Sequence, residues 1–409
     1  MLPNKGALFG ERYRIIVSTD IGGSDPDDFQ SMVHYLLYSD IFDTEGLISS
    51  AWGNGRAKDI LDVIDVYEKD YHNLLKHSDK YPTPDYLRTI TKQGEIDFAP
   101  YKGFRCPTEG SNWIIECAKR NDGRPLYILA WGLLEDIAQA LHDAPEIVDK
   151  IRVNYIAGPN KKWGLNAYEY IRREFPNLWI IEDNSTYRGW FNGGFQDGIY
   201  SNSGFVDAHK HCGALGNYFA THLGGVIKMG DTPTVTYFLN GTPENPEGES
   251  LGGSFIRVYN RPERSYNRDT TEDDIVEIFE VVEFVFDGPV LKEYDEDKVY
   301  FKMIVKNQEF EGFYTGNGKY KIRFMPKSLG LFEYEIVSDI EELNHHKGAF
   351  TAIPESYENR IDKGQNLKNW WADRLDDELR EGVIDGAKTL NKYRKIFLDD
   401  FSERFKRTL

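Results

Sequence analysis

Over the first 270 residues, short runs of β-branched and aromatic residues alternate with segments of helical period. Five strands are predicted, over Tyr13–Thr19, Thr44–Ala51, Leu126–Trp131, Ile151–Ala157 and Leu178–Glu182, each closed by a turn rich in Gly, Asn or Asp. Between them, apolar residues at i, i+3 and i+4 predict helices over Phe29–Tyr38, Ala57–Tyr67, Asn112–Arg120, Leu133–His142 and Ala167–Glu174. This alternation builds an α/β domain with a mostly parallel sheet, whose ligand crevice opens beyond the carboxyl ends of the strands. Near Thr270 the texture changes. From about Glu272 to Pro354 short alternating runs such as IFEVVEFVF, KVYFKMIV and KYKIRFMP follow one another, separated by turn signals such as Gly316-Asn317-Gly318. An antiparallel β-sandwich is the expected form. Residues from Asn366 to Phe405 then read as helical, with Ile396, Phe397, Phe401 and Phe405 on an apolar face that needs a partner. The β module therefore reads as an insertion: 1–270 is the first part of the α/β domain, 271–356 the module, and 357–409 the helices that return to the α/β domain.

Composition narrows the partners. The chain has 49 Lys and Arg against 67 Asp and Glu, a net charge of −18. Phosphate-backbone binding needs clustered cations, so nucleic acid is excluded as a partner, and anionic membrane surfaces with it. Nothing approaches the roughly 18 apolar residues of a membrane span. The N-terminus lacks a basic segment followed by an apolar run, so a cytoplasmic location is expected unless a signal has been removed. Cys106, Cys117 and Cys212 are odd in number and form no CxxC pair, so buried free thiols are expected. Residues 271–360 hold 20 acids and 10 bases, more than half of the net charge, as a solvated surface would.

The remaining acidity is concentrated at one point. In RIIVSTDIGGSDPDDFQSM a strand ends at Asp20, two glycines allow a tight turn, and a helix starts near Pro26 with Asp25 as its expected N-cap. Acids at a helix N-terminus are commonplace because the helix dipole favours them. That accounts for Asp25 and one of Asp27 and Asp28, but not for four carboxylates in nine residues, which repel unless protons or a cation neutralise them. An all-oxygen cluster selects a hard cation, Ca²⁺ or Mg²⁺.

The strand, Asp, Gly, Asp-Asp, helix sequence resembles the N-terminal signature of inosine-uridine-preferring nucleoside hydrolases. More closely, STDIGGSDPDD, EGLISSAWGNG and LYILAWGLLEDIAQAL resemble a related bacterial branch labelled nucleoside-hydrolase-like or cellulose-binding. The likeness covers about 12–265 and the C-terminal helices, while GFYTGNGKYKIRFMPKSLGLFEYEIVSD resembles the immunoglobulin-like module of carbohydrate-active enzymes. The resemblance implies a bound Ca²⁺ with Asp20, Asp28, Asp231 and the Trp131 backbone carbonyl as ligands. It makes Asp20 the base for the attacking water and Asp27 its catalytic companion, and gives Asn54 a sugar hydroxyl or the water. Relatives are often dimers or tetramers, so a homo-oligomer is allowed.

Departures from the pattern redirect the substrate. Gly230 replaces the His that serves the leaving base, Ser18 replaces an Asp two residues before Asp20, and a Glu-Phe-Asn ribose-binding segment is missing. In its place stands Gly158-Pro159-Asn160-Lys161-Lys162-Trp163. The expected activity is therefore Ca²⁺-dependent hydrolysis of a glycosidic bond in a carbohydrate O-glycoside. The alternatives are a nucleoside N-ribohydrolase and a non-catalytic carbohydrate-binding protein. Hydrolysis at an anomeric carbon also needs help for the leaving group, for which Glu182, Asp183 and Glu249 are candidates if burial raises their pKa. Asn160, Trp163, Asn184, Arg188, Trp190 and Glu249 join Asn54 as candidate contacts to a small-molecule or oligosaccharide substrate. The tryptophans would stack on a sugar ring, and Arg188 would meet a uronate or other anion.

Overall fold

In the computed structural model, which describes residues 12–52, 55–361 and 367–409, two eight-stranded sheets carry the chain. The first contains β1 (Tyr13–Thr19), β2 (Phe42–Ser49), β3 (Thr91–Gln93), β4 (Leu126–Ala130), β5 (Ile151–Ile156), β6 (Trp179–Asp183), β7 (Phe255–Val258) and a late strand, Trp370–Asp373. Its order is β3-β2-β1-β4-β5-β6, then Trp370–Asp373, then β7. All neighbours are parallel except the last pair. Strand alternation divides the core between the two faces. Ile15, Val17, Tyr127 and Leu129 pack on one face, Ile16, Leu126, Ile128 and Ala130 on the other. Ser18 of β1 lies opposite both Ile48 of β2 and Ala130 of β4. The chain turns one way from β1 to β2 and the other way from β1 to β4, so the crevice expected at a switch point opens beyond β1 and β4.

The second sheet runs β8 (Glu263–Tyr266), β9 (Ile275–Glu277), β10 (Val281–Asp287), β11 (Val299–Val305), β12 (Gln308–Tyr314), β13 (Lys319–Phe324), β14 (Gly330–Val337) and β15 (Lys347–Ile353), in the order β8-β10-β13-β12-β11-β14-β15-β9. It is mostly antiparallel. Where a sandwich would split into two sheets, one continuous sheet curls around Phe284, Met303, Ile322, Phe324, Ile336 and Phe350. The turn signal between β12 and β13 is real: Gly316, Asn317 and Gly318 take φ of 93°, 53° and 73°, the region that favours Gly and tolerates Asn. β8 lies before residue 270, so this sheet starts earlier than the change in texture suggests.

The late strand, β16 (Trp370–Asp373), corrects the helical reading of Asn366 to Phe405, of which Asn366 lies outside the described residues. Trp370 faces Ile180 and Val258 in register and joins one side of the core, while Trp371 joins the other, 5.1 Å from the Trp179 ring. Two adjacent tryptophans on opposite sides suit a doubly covered strand. Beyond β16 the helix Arg394–Lys406 buries Phe397, Phe401 and Phe405 against the α/β core, with Phe397 stacked 3.8 Å from the Trp190 ring. Each such ring contributes about 1.5–3 kcal/mol of burial. A chain ending at Ile361 is therefore expected to be insoluble or unfolded, as a solubility assay and circular dichroism would show; a cooperatively folding product would contradict this role for the C-terminal elements. Of the cysteines, Cys117 and Cys212 are buried as expected, whereas Cys106 is exposed.

Candidate functional site

β1 delivers Asp20 to the crevice, and the turn closes at once, with Gly23 N–H donating to the Asp20 carbonyl at 2.8 Å. Gly22 takes φ 85° there, and the Asp59 carboxylate leaves no room for a Cβ. The next helix, α1, spans Asp27–Leu37, two residues ahead of the periodic segment Phe29–Tyr38 and directly after Pro26. Pro26 occupies the N-cap position with no side-chain cap, and Asp25 is spent on an ion pair with Lys228 instead of capping. Asp27 and Asp28 are thus the first two helical residues, where the dipole favours their charge.

Carboxylate oxygens of Asp27, Asp28 and Asp231 lie within 4.8 Å of one another, all three residues buried. Asp20 completes the group, within hydrogen-bonding reach of the Asp28 side chain. Burial first, then the neighbouring Asp27, raises Asp20 to about 7. Burial and then Asp28 raise Asp27 to about 7, although the Gly230 N–H donates to it at 2.8 Å. Burial drives Asp28 and Asp231 well above the usual carboxylate range, helped by Asp20 at Asp28 and by Asp28, Asp27 and Asp20 at Asp231. Thr19 Oγ1 donates to Asp28, and the Asp231 Oδ2 atom is buried without a protein partner. The nearest cation, Lys228, stands 3.7 Å from Asp27 and already pairs with Asp25. One ammonium does not balance this many acids, so the donor set fits a hard divalent cation.

Gly230 is required by contact: a Cβ there would stand 2.6 Å from Asp27 Oδ2, with the Tyr187 ring at 3.5 Å. The side chain of Tyr187 crowds the position at which the family resemblance places a His. Gly230→Ala is expected to push Asp27 aside and weaken the binding of a divalent cation added to the cluster about tenfold, roughly 1.4 kcal/mol; unchanged affinity by calorimetry would contradict this packing argument. On the other side, Gly132 abuts Asp20, where a Cβ would stand 2.9 Å from the Asp20 Cβ, so the end of β4 lines the same pocket. Trp131 is buried, its indole N–H donating to Thr234 Oγ1 at 2.7 Å. Its carbonyl accepts from Asn160 Nδ2 at 2.5 Å, which leaves one lone pair.

The remaining sequence candidates divide. Asn160 is committed to the backbone, donating also to the Ile156 carbonyl at 3.0 Å, so it orients Trp131 instead of reaching for a sugar. Trp190 is fully buried between α1 and the C-terminal helix and is core, correcting its assignment to the substrate. Trp163 is half-buried in an aromatic cluster with Trp52 at 5.1 Å and Phe310 of β12 at 5.0 Å, at the contact between the two sheets' domains. Glu249 is exposed and held by Lys392 and by Tyr393 at 2.6 Å, which keeps its carboxyl below the usual range. It is neither at the carboxylate cluster nor suited to give up a proton. Glu182 is likewise held ionised against its burial by Arg261 and Lys161. Asp183 is buried and raised, beside Asp373, with Tyr187 N–H donating to it at 3.0 Å. Asn184 and Arg188 line a separate cavity. Asn54 lies outside the described residues. Sequence reasoning missed Lys228 and Thr19; both flank acids already singled out, and only the fold reveals that they touch them.

Residues 14–255 match the family described as cellulose-binding Sde182, nucleoside hydrolase-like domain, and residues 275–339 match a domain of unknown function, DUF5060. No curated protein matches. A solved structure from Saccharophagus degradans, described as a nucleoside hydrolase-related hypothetical protein associated with carbohydrate metabolism, is similar at 18% identity and TM-score 0.51, over 84% of this chain and all of that one. An inosine-uridine preferring nucleoside hydrolase from Bacillus anthracis is similar at 15% identity and TM-score 0.39, over 62% of this chain and 87% of its own. Among the described residues no helix is long and apolar enough to cross a membrane.

Proposed function

This chain belongs to the family described as cellulose-binding Sde182, nucleoside hydrolase-like domain, and from that premise we propose that it is a calcium-dependent hydrolase of glycosidic bonds, acting on a carbohydrate O-glycoside. The observation that carries the reading is the buried cluster of Asp27, Asp28 and Asp231 beside Asp20, at the carboxyl ends of β1 and β4. Asp28 and Asp231, with Asp20 and the free lone pair of the Trp131 carbonyl, would hold Ca²⁺. The bound ion would fix the attacking water and lower its pKa. Asp20 would take the water's proton, and Asp27, held by the Gly230 N–H, would orient the water or a sugar hydroxyl beside it. Tyr187, packed against Gly230, would exclude bulk water from that side.

Release of reducing sugar from a panel of polysaccharides, with calcium or with EDTA, tests the proposal. Calcium-dependent release, reduced about 10³-fold in Asp20→Asn, is expected on the scale of lost general-base catalysis. Undiminished hydrolysis by that variant would overturn the mechanism. Free base released from inosine or uridine at an ordinary rate would establish the nucleosidase alternative. One observation favours a non-catalytic carbohydrate-binding protein: Glu182 and Glu249, two of the carboxyl groups expected to serve the leaving group, are both held ionised. Glycan binding that survives Asp27→Ala, with no sugar released from any bound glycan, would support it.

A further inference from the structure

A second cavity of about 470 Å³ lies where the α/β domain, the second sheet and the C-terminal segment meet. That is within the roughly 300–1,000 Å³ of small-ligand sites. One wall is the turn after β6, which carries Asn184 and Arg188. This turn is rigid, because the Asp373 carboxylate of β16 accepts from the backbone N–H groups of Asn184, Ser185 and Thr186 at 2.9, 3.0 and 2.7 Å. The second wall is Phe279 and the exposed connection Lys327–Leu329 between β13 and β14; the third includes Arg380 and Val383.

The charges of this cavity are unbalanced. Arg380 pairs with Asp385 and Asp377. Arg188 and Lys327 have no carboxylate partner among the described residues, in a protein of net charge −18. Arg188, Lys162 and Lys228 all lie close enough to Lys327 to repel its charge. Lys228 in turn touches the carboxylate site through Asp25 and Asp27, and Tyr187, next to Arg188, packs on Gly230 there. Asn184, also in this wall, is itself fixed, its Nδ2 donating to Glu182 at 3.0 Å. Leu329 and Val383 add exposed apolar surface at the same cavity.

We propose that this cavity is a subsite for an acidic sugar residue, its carboxylate or sulfate ester held between Arg188 and Lys327. The second sheet thereby selects the substrate through Lys327. The proposal rests on the glycosidase reading for its place next to the hydrolysed bond, but binding stands without hydrolysis.

Calorimetry on the full chain with calcium, at low salt, tests it with three probes of equal length: trigalacturonate, a sulfated trisaccharide and cellotriose. One of the acidic probes is expected to bind at least tenfold more tightly than cellotriose, and which one identifies the anion. Its affinity should fall about tenfold in Lys327→Ala and in Arg188→Ala and be largely kept in Lys327→Arg. Lys327 is exposed, so its substitution leaves folding intact. Equal binding of all three probes, or an unchanged affinity in Lys327→Ala, overturns the subsite. Acidic-sugar binding without any hydrolysis would reject the glycosidase reading and keep the subsite; calcium-dependent hydrolysis of neutral glucans with no acidic preference would do the reverse.

Discussion

In EDTA, the protein is expected to lose stability steadily as pH rises from about 4 to about 8, and calcium to restore it. Asp20 and Asp27 have folded values of about 7 against an ordinary 3.8, and Asp28 and Asp231 are raised as well. Over that window the folded chain keeps protons that the unfolded chain has released, so the free energy of unfolding falls with pH. The contribution is fully present below the unfolded value and lost on passing through the folded one. One pKa unit is about 1.4 kcal/mol, so the cluster costs several kcal/mol at alkaline pH when no cation is bound. Calcium at a hundred times its dissociation constant adds about 2.7 kcal/mol. Asp231→Asn removes one of the mutually repelling charges, so in EDTA at alkaline pH it should melt above the wild type, yet gain nothing from calcium. Scanning calorimetry across pH, with EDTA or excess calcium, reads all three effects. A melting temperature that stays level or climbs with pH in EDTA would mean the carboxylates are compensated by the protein itself.

Glu182→Gln is expected to be the most damaging single substitution outside the carboxylate cluster, at about 3–5 kcal/mol or with loss of soluble protein. The Glu182 carboxylate is fully buried and accepts from Lys161 Nζ, Tyr168 Oη, Arg261 Nε and Trp370 Nε1 at 2.9 Å each, and from Asn184 Nδ2 at 3.0 Å. Lys161 also donates to the Phe279 carbonyl at 2.9 Å, and Arg261 reaches Glu355 at 2.6 Å, which Arg360 grips through two further bonds. Arg261 precedes β8 and Glu355 follows β15, so this network ties both crossings between the sheets to the end of β6. A neutral amide would leave Lys161 and Arg261 buried with an uncompensated charge. The contrast is Arg268→Ala, which breaks an exposed pair with Asp274 and should cost under about 1 kcal/mol. Comparable denaturation midpoints for the two variants would contradict the network's role.

How far the sequence carried depended on how local each signal was. The parallel sheet was legible because β1, β4 and β6 carry short apolar stretches, IIV, LYILA and WII, each followed by turn residues. The strand β16 was not, since Trp370 and Trp371 sit in a polar stretch whose strand character comes from neighbours nearly 200 residues away. Asp25 was read as the N-cap of α1 because its partner Lys228 lies across the fold, out of reach of any local signal. The carboxylates were visible as an improbable local density of charge, and Asp231 came only with the family likeness. Trp190 and Glu249 were misjudged for the same physical reason: an aromatic or an acid in a loop after a strand reads identically whether it faces a cavity, the core or a lysine.

On this reading Asp20, Asp28 and Asp231 hold one calcium ion, with Asp27 beside it. Anomalous difference density from crystals grown with calcium tests it most directly. A single peak is expected about 2.3–2.6 Å from carboxylate oxygens of Asp20, Asp28 and Asp231, absent in Asp231→Asn. No peak there in calcium-saturated wild-type crystals would contradict it.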